Sequence, residues 1–327
     1  MLWLLGLCWL VLSACEQDQR VPYIPPTLAN WPQPYHGVSG VKLHAFTTGV
    51  LHVDEALLLR GGSLTQTREL PVPAFVIEHP KQGLVLFNTG VNPVLDTDAA
   101  WPGGWLGLVG AEVVPGEALR SQLEQAGLKP DAVRWIVLST LRFDHTGAVE
   151  AFPNARVVVA TAERDFARQA PSGYKTNEFD AVANWKFIDF ESATPLATFT
   201  AHVDLFGDGS VLLIDARGAT PGTMAMLVRL PQRPVLLADD LAALEENVRY
   251  ATQPPSAYDM QDWWEHIWRL KRFKDLVPEL IVVPGHDLQP LQSVHAREIV
   301  VHAFTPGASG RPTPTPNALR RLLPAPM

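Results

Sequence analysis

Apolar residues along this chain fall in short runs set apart by polar turns, and the runs alternate with stretches of helical spacing. Val41 to Phe46, Ala74 to Glu78, Gly83 to Phe87, Trp135 to Leu138 and Ala155 to Ala160 are each rich in β-branched or aromatic side chains and bounded by turn residues, the pattern of buried strands. A helix is predicted between them, with Pro115 at its start, Glu117 in its first turn, Leu119 and Leu123 one turn apart and Gly127 just past its end. A second helix is predicted from Thr161 to Ala170, stopped by Pro171. The second half continues in the same style. Ser210 to Ile214, Met224 to Leu230, Pro234 to Ala238 and Leu280 to Val283 read as strands, and Met260, Trp263, Trp264, Ile267 and Trp268 recur at helical spacing inside Ser256 to Leu276, as a core-facing stripe would. The alternation predicts an α/β domain.

One stretch organises the rest. Trp135 to Phe152 sets a strand against the polar turn Asp144-His145-Thr146-Gly147, with a helix expected from Thr146 onward. Loops at the C-terminal ends of strands are where α/β proteins gather ligands. Two other strands also end in an acid or an imidazole: Pro234 to Ala238 runs into Asp239-Asp240, and Leu280 to Val283 into Pro284-Gly285-His286-Asp287. Imidazole with carboxylate is the ligand chemistry of zinc, iron and manganese, and such sites are assembled from segments far apart in sequence.

Composition narrows the functional classes. A chain of 327 residues that is 47% hydrophobic can bury a large core, which excludes general disorder. A formal charge of −8 with no Lys/Arg-rich run excludes a nucleic-acid surface. Residues 1–14 are apolar and uncharged, and polar sequence begins abruptly after Cys15. This run is shorter than the roughly 20 residues that span a bilayer, so it reads as an export signal. Leu12-Ser13-Ala14-Cys15 resembles the bacterial lipoprotein cleavage box, although no Lys or Arg precedes the apolar run. The resemblance implies removal of residues 1–14 together with Cys8, acylation of Cys15, and attachment to a membrane of the bacterial cell envelope on its periplasmic side. Residues 15–40 then form the lipidated end and a proline-rich tether, 41–304 the folded domain, and 305–327 a proline-rich tail.

From Val41 to Asp287 the chain resembles the metallo-β-lactamase superfamily, and within it the N-acyl-homoserine lactonase type. Phe87-Asn88-Thr89-Gly90 is similar to that family's Asp-Thr-Gly strand end, and Leu138 to Gly147 to its His-x-His-x-Asp-His-x-Gly loop. Ala219-Thr220-Pro221-Gly222-Thr223 is similar to a His-Thr-Pro-Gly-His segment, Leu236 to Asn247 to the strand carrying a metal-bridging Asp, and Val283 to Asp287 to the closing Gly-His-Asp. The resemblance implies a four-layer αββα sandwich. It also implies that Asp144, His145, Asp240 and His286 preserve one of the family's two metal sites. The other is lost, because Thr140, Arg142 and Ala219 stand where its three histidines belong. Asn88 replaces an acid, Ala243 stands where the lactonases keep a tyrosine, and Asp239 takes a position usually held by glycine, where it is expected only to cap a helix.

Two readings follow from these residues. In one, a single zinc or other divalent ion bound by Asp144, His145, Asp240 and His286 activates water against a lactone or ester, with Asp144 and Arg142 catalytic and the Arg142 guanidinium replacing the missing cation. In the other, Arg142 is the counter-ion of a pair with Asp144 or Asp240 in a non-catalytic, ligand-binding domain. His36, His44, His52, His79, His202, His266, His295 and His302 match no ligand position and are expected to be structural or surface residues. Asp287 is expected to orient His286 or to close its turn.

Overall fold

A computed structural model provides the coordinates of the chain and describes residues 25–93, 110–112, 118–169 and 172–303. Cys15, the export signal at 1–14, Pro115, Pro171 and the tail at 305–327 lie outside the described residues. The first sheet is built from β1 (Lys42–Asp54), β2 (Thr67–His79), β3 (Gly83–Phe87), β4 (Gly110–Glu112), β5 (Val133–Val137), β6 (Arg156–Ala160) and β7 (Trp185–Ile188). The second contains β8 (Thr194–Leu196), β9 (Phe199–Asp204), β10 (Val211–Asp215), β11 (Met224–Arg229), β12 (Pro234–Asp239) and β13 (Ile281–Pro284), and β14 (Ile299–Val301) returns to the first sheet. The strand orders are β14-β1-β2-β3-β5-β6-β7, with β4 on β1, and β13-β12-β11-β10-β9-β8.

Three apolar clusters separate four layers. Leu43, Phe75, Val85, Val137, Leu213, Met226, Leu237 and Val283 fill the space between the sheets. On the outside of the first sheet, Val76, Leu86, Ile136 and Val157 pack with Leu119 and Leu123 of α1 (Leu119–Gln125) and beside α3 (Thr161–Ala167). On the outside of the second, Leu212, Ala225 and Leu236 meet Val248 of α4 (Glu245–Tyr250) and Trp263, Ile267, Leu270 and Phe273 of α5 (Met260–Leu276). Each fully buried side chain of that size contributes roughly 1.5–3 kcal/mol, so these helices are fixed by packing more than by propensity. The αββα sandwich is therefore the observed architecture. Asp259 caps α5, its carboxylate accepting from the backbone N–H groups of Gln261 and Asp262. Trp268, expected to face the core, is 49% exposed, because the buried stripe runs through positions 263, 267 and 270 and leaves it on the outer face.

The sequence pattern placed the central strands correctly but shortened β1 and β2, which run for 13 residues each because they pair along their whole length. Residues 29–38, expected as the end of a tether, dock on the second sheet: Ala29 exchanges backbone hydrogen bonds with Ala197, Val38 N donates to Arg229 O, and the Tyr35 hydroxyl donates to Leu230 O. Trp31 is buried edge-on against Phe273. No helix among the described residues is long and apolar enough to cross a membrane.

Candidate metal centre

The parallel strands β3 and β5 of one sheet, and β12 and β13 of the other, deliver their C-terminal ends to the same edge of the sandwich. Asn88, just past β3, adopts a left-handed conformation (φ 57°), which an asparagine tolerates better than most residues. Its Oδ1 accepts from the backbone N–H and the hydroxyl of Ser139, at 2.9 and 3.0 Å, and its Nδ2 donates to Asp239 Oδ1 at 3.1 Å. One amide thus ties the ends of β3, β5 and β12 together.

The Asp-His turn lies in a single helical turn, α2 (Phe143–Thr146), where a longer helix starting at Thr146 was expected. Thr146 ends the turn instead, because its hydroxyl donates to Glu178 Oε2 at 2.6 Å and the next residue, Gly147, is pressed against residue 92. A Cβ at Gly147 would lie 1.9 Å from Asn92 N, so only glycine fits there. The turn holds Asp144 and His145 almost fully buried.

His145 Nδ1 lies 2.7 Å from the Thr140 hydroxyl, and its Nε2 lies 3.5 Å from Asp239 Oδ1. His286 Nδ1 is 3.0 Å from the carbonyl oxygen of Pro71; a carbonyl only accepts, so this nitrogen carries the proton and Nε2 faces Asp144 Oδ2 at 3.7 Å. Arg142 Nη1 reaches Asp240 Oδ2 at 3.4 Å. Asp144 Oδ1 and Asp239 Oδ2 are buried without a hydrogen-bond partner among the described residues.

The structure brings all four expected ligands to one edge. It also adds Asp239, which is no helix cap: it is buried at φ 50° with its carboxylate aimed at His145. Among the described residues, His145, Asp239 and Asp240 form a group whose ligand atoms all lie within 4.8 Å of one another, with Asp144 and His286 paired beside them. Asp287 closes its own turn, accepting from Gln289 N, and leaves the orientation of His286 to Pro71. Of the other histidines, His44 and His302 face each other and His44 contacts Glu78, while His79 joins Asp208 and Ser210.

Electrostatics follow from this packing. Burial depresses the His145 pKa, but the surrounding carboxylates of Asp239, Asp144 and Asp240 overcome it and push it up to about 10. Burial raises Asp144 and Asp239, yet neighbouring imidazoles hold both below the usual carboxylate range, Asp239 at about 2; Arg142 adds to the effect at Asp144. Asp240 goes the other way: burial raises it, Asp239 and Asp144 add to the rise, and Arg142 and His145 only partly oppose it. Three carboxylates thus crowd together at the strand ends, and their mutual repulsion adds to burial in forcing one of them, Asp240, upward.

Beneath the loops lies a residue that nothing in the sequence singled out. Glu163 of α3 is fully buried, and its Oε1 accepts from Leu141 N at 2.8 Å and the Tyr174 hydroxyl at 2.7 Å, while Oε2 accepts from the Thr220 hydroxyl at 2.6 Å. It clamps the loop of residues 138–142 to the loop of 219–223. A single buried acid in an otherwise ordinary amphipathic helix carries no signature in its own segment.

Above the charged floor is a cavity of about 160 Å³. Leu51, Val53, Leu58 and Leu70 form its apolar wall, and Arg142, Asp144, Asp240 and His286 form its polar side. Ala219 and Ala243, small where the family resemblance implied a histidine and a tyrosine, also line it.

Residues 67–286 match the model of the metallo-beta-lactamase superfamily. An N-acyl homoserine lactonase, AttM, of Azorhizobium caulinodans is 30% identical over 227 residues, covering 67% of this chain and 82% of that protein. An N-acyl homoserine lactonase of a Bacillus species is 26% identical over 228 residues, covering 68% of this chain and 83% of that one. Among solved structures, AiiA of B. thuringiensis, a mutant with N-decanoyl-L-homoserine bound at its active site, superimposes with a TM-score of 0.67 at 21% identity, covering 78% of this chain and 97% of that one. The fold, the family model and the curated relatives agree, and this chain belongs to the metallo-β-lactamase superfamily.

Proposed function

We propose that this protein is a hydrolase of lactones or esters that works with one divalent metal ion, in the manner of a lactonase whose second ion has been replaced by Arg142. The observation that carries the reading is the convergence of three acids at the strand ends, two of which keep a buried carboxylate oxygen with no partner among the described residues. Two neutral imidazoles, three carboxylates, one guanidinium and one divalent ion sum to zero charge. The residues that would hold the ion are His145 and Asp240, with Asp144 and His286 completing the donor set. Both histidines fit, since each uses Nδ1 on an outer partner and turns Nε2 inward. A bound divalent ion supplies Lewis acidity and brings a water toward ionisation near neutral pH.

The chain's own residues supply the rest. Arg142 lies at the cavity with its guanidinium permanently charged, because the pull of Asp240 and Asp144 outweighs burial and raises its pKa. It is placed to donate hydrogen bonds to an oxygen that gains charge as the carbonyl is attacked. Asp144 keeps Oδ1 free to take a proton from the attacking water and to return it to the departing alkoxide. The leucine and valine wall receives the acyl side of the substrate. At about 160 Å³ the cavity is well below the roughly 300–1,000 Å³ of ordinary ligand pockets, which favours a small lactone head or a short acyl chain. Lactone hydrolysis is the activity named in the curated relatives, and their similarity supports the same kind of chemistry here.

The Arg142–Asp240 pair also supports a second reading, in which the guanidinium fills the position of the lost ion and the domain binds a ligand without turning it over. One experiment separates the two. The purified full chain, never exposed to chelator, is analysed for metal and assayed with and without zinc on a panel of N-acyl homoserine lactones and simple esters. Zinc-dependent turnover supports the hydrolase; no bound metal and no turnover above buffer, even with zinc added, supports the second reading. We also propose that acylation of Cys15 places the domain on the periplasmic side of a bacterial membrane, on the strength of Leu12-Ser13-Ala14-Cys15 and the polar sequence that follows.

A further inference from the structure

We infer that Asp239 is itself a ligand to the metal ion, beside His145 Nε2 and Asp240, and so an addition to the ligand set expected from the sequence. The inference rests on the reading above that the chain holds an ion.

Burial, distance and orientation converge on this carboxylate. Asp239 is 4% exposed and its Oδ2 has no partner, a state that a buried carboxylate rarely keeps unless something positive completes it. Its Oδ1 faces His145 Nε2 at 3.5 Å. Two ligand atoms each about 2.1 Å from a tetrahedral zinc lie roughly 3.4 Å apart, so this separation is that of two ligands of one ion. The companion Asp240 is within 4.8 Å of both.

The remaining observations concern orientation. Thr140 engages His145 Nδ1 at 2.7 Å, which turns Nε2 toward Asp239. Asn88 fixes Asp239 by donating to Oδ1, and Asn88 is itself held by Ser139, the outer hydrogen bonding that metal-binding carboxylates ordinarily have. The backbone argues the same way. Asp239 adopts φ 50°, a left-handed conformation that aspartate tolerates but glycine favours, and the family resemblance places glycine there. A carboxylate thus stands where glycine would serve the backbone, and its charge is directed at an imidazole.

The test uses zinc and cobalt(II) with the full chain. Wild type, Asp239→Asn and Asp239→Gly are titrated by chelator competition, and the visible absorption of the cobalt forms is recorded. Asparagine and glycine both accept the left-handed backbone, so neither variant strains the strand end, and circular dichroism confirms the fold. The inference predicts one ion per wild-type chain, a loss of affinity in both variants beyond the roughly 100-fold that removal of an outer partner causes, and a changed cobalt spectrum. Affinity close to wild type overturns it. So does a smaller loss with an unchanged spectrum, which makes Asp239 a positioning residue. Failure of the wild type to bind either metal overturns this inference and the metal-dependent reading together, whereas tight binding by wild type and variants alike removes Asp239 alone.

Discussion

Replacing Glu163 separates the clamp beneath the site from the site itself. In Glu163→Ala the Tyr174 hydroxyl, half-buried, can turn to water, and the Thr220 hydroxyl still has Thr223 Oγ1 at 2.9 Å. Leu141 N is buried and can only donate, so it is left without its acceptor. An orphaned buried donor costs about 1–3 kcal/mol, and the space left by the side chain adds to this, giving a total of about 3 kcal/mol. At about 2–4 °C per kcal/mol for a domain of this size, the melting temperature should fall by roughly 6–12 °C. Glu163→Gln behaves differently. Its Oε1 can accept from Leu141 N and Tyr174 while its amide donates to the Thr220 oxygen, so every partner is kept and the buried charge is removed. The pH dependence has a definite sign. Burial raises the Glu163 pKa against the hydrogen bonds from Thr220, Leu141 and Tyr174, so the folded state holds this proton more tightly than the unfolded chain does. The contribution is therefore fully present below the unfolded pKa and is lost as pH rises through the folded one. Melts of wild type, Glu163→Gln and Glu163→Ala from pH 4 to 8 check this: the gap between wild type and Glu163→Gln should shift in favour of glutamine as pH rises. A glutamine variant as unstable as the alanine variant, or a gap that does not change with pH, would refute the reasoning.

Arg142→Ala should lower lactone or ester turnover by about 100- to 1,000-fold, the effect of losing an oxyanion donor, while one metal ion stays bound; undiminished turnover removes Arg142 from the chemistry. Thr140→Val deletes the partner of His145 Nδ1 and should weaken zinc binding by about 10- to 100-fold in chelator competition. Thr140→His, Arg142→His and Ala219→His combined should raise the metal content from one ion per chain to two, measured by elemental analysis. Cys15→Ser should abolish incorporation of labelled fatty acid and release the protein from the membrane fraction.

Much of the architecture was legible because buried strands carry their own signal. The runs at Trp135 to Leu138, Pro234 to Ala238 and Leu280 to Val283 are apolar on both faces, as strands covered by a second sheet on one side and a helix on the other must be, and all three were found with errors of one or two residues. The acids and imidazoles at their ends could be named for the same reason: they are the first polar residues after an apolar run. Asp144, His145, Asp240 and His286 do meet at one edge. Polar edge strands were missed, β7 and β8 among them, since exposed residues follow no pattern that burial imposes.

What the tertiary structure decided is which neighbour each polar group faces. Asp239 and Asp240 are adjacent and chemically identical in the sequence, and only the left-handed backbone at 239 turns one carboxylate down onto His145 while the other meets Arg142 near the surface. Asn88 looked like a lost acid, yet its amide bonds three strand ends at once, a role that requires a donor and an acceptor on one side chain. Glu163 looked like an ordinary helix acid and proved to be the buried link between two loops separated by about eighty residues of chain. A side chain's type limits what it can bind, and that much can be read residue by residue. Its partner is set by packing over the whole chain, because a buried charge or amide is stable only where groups distant in sequence converge to complete it.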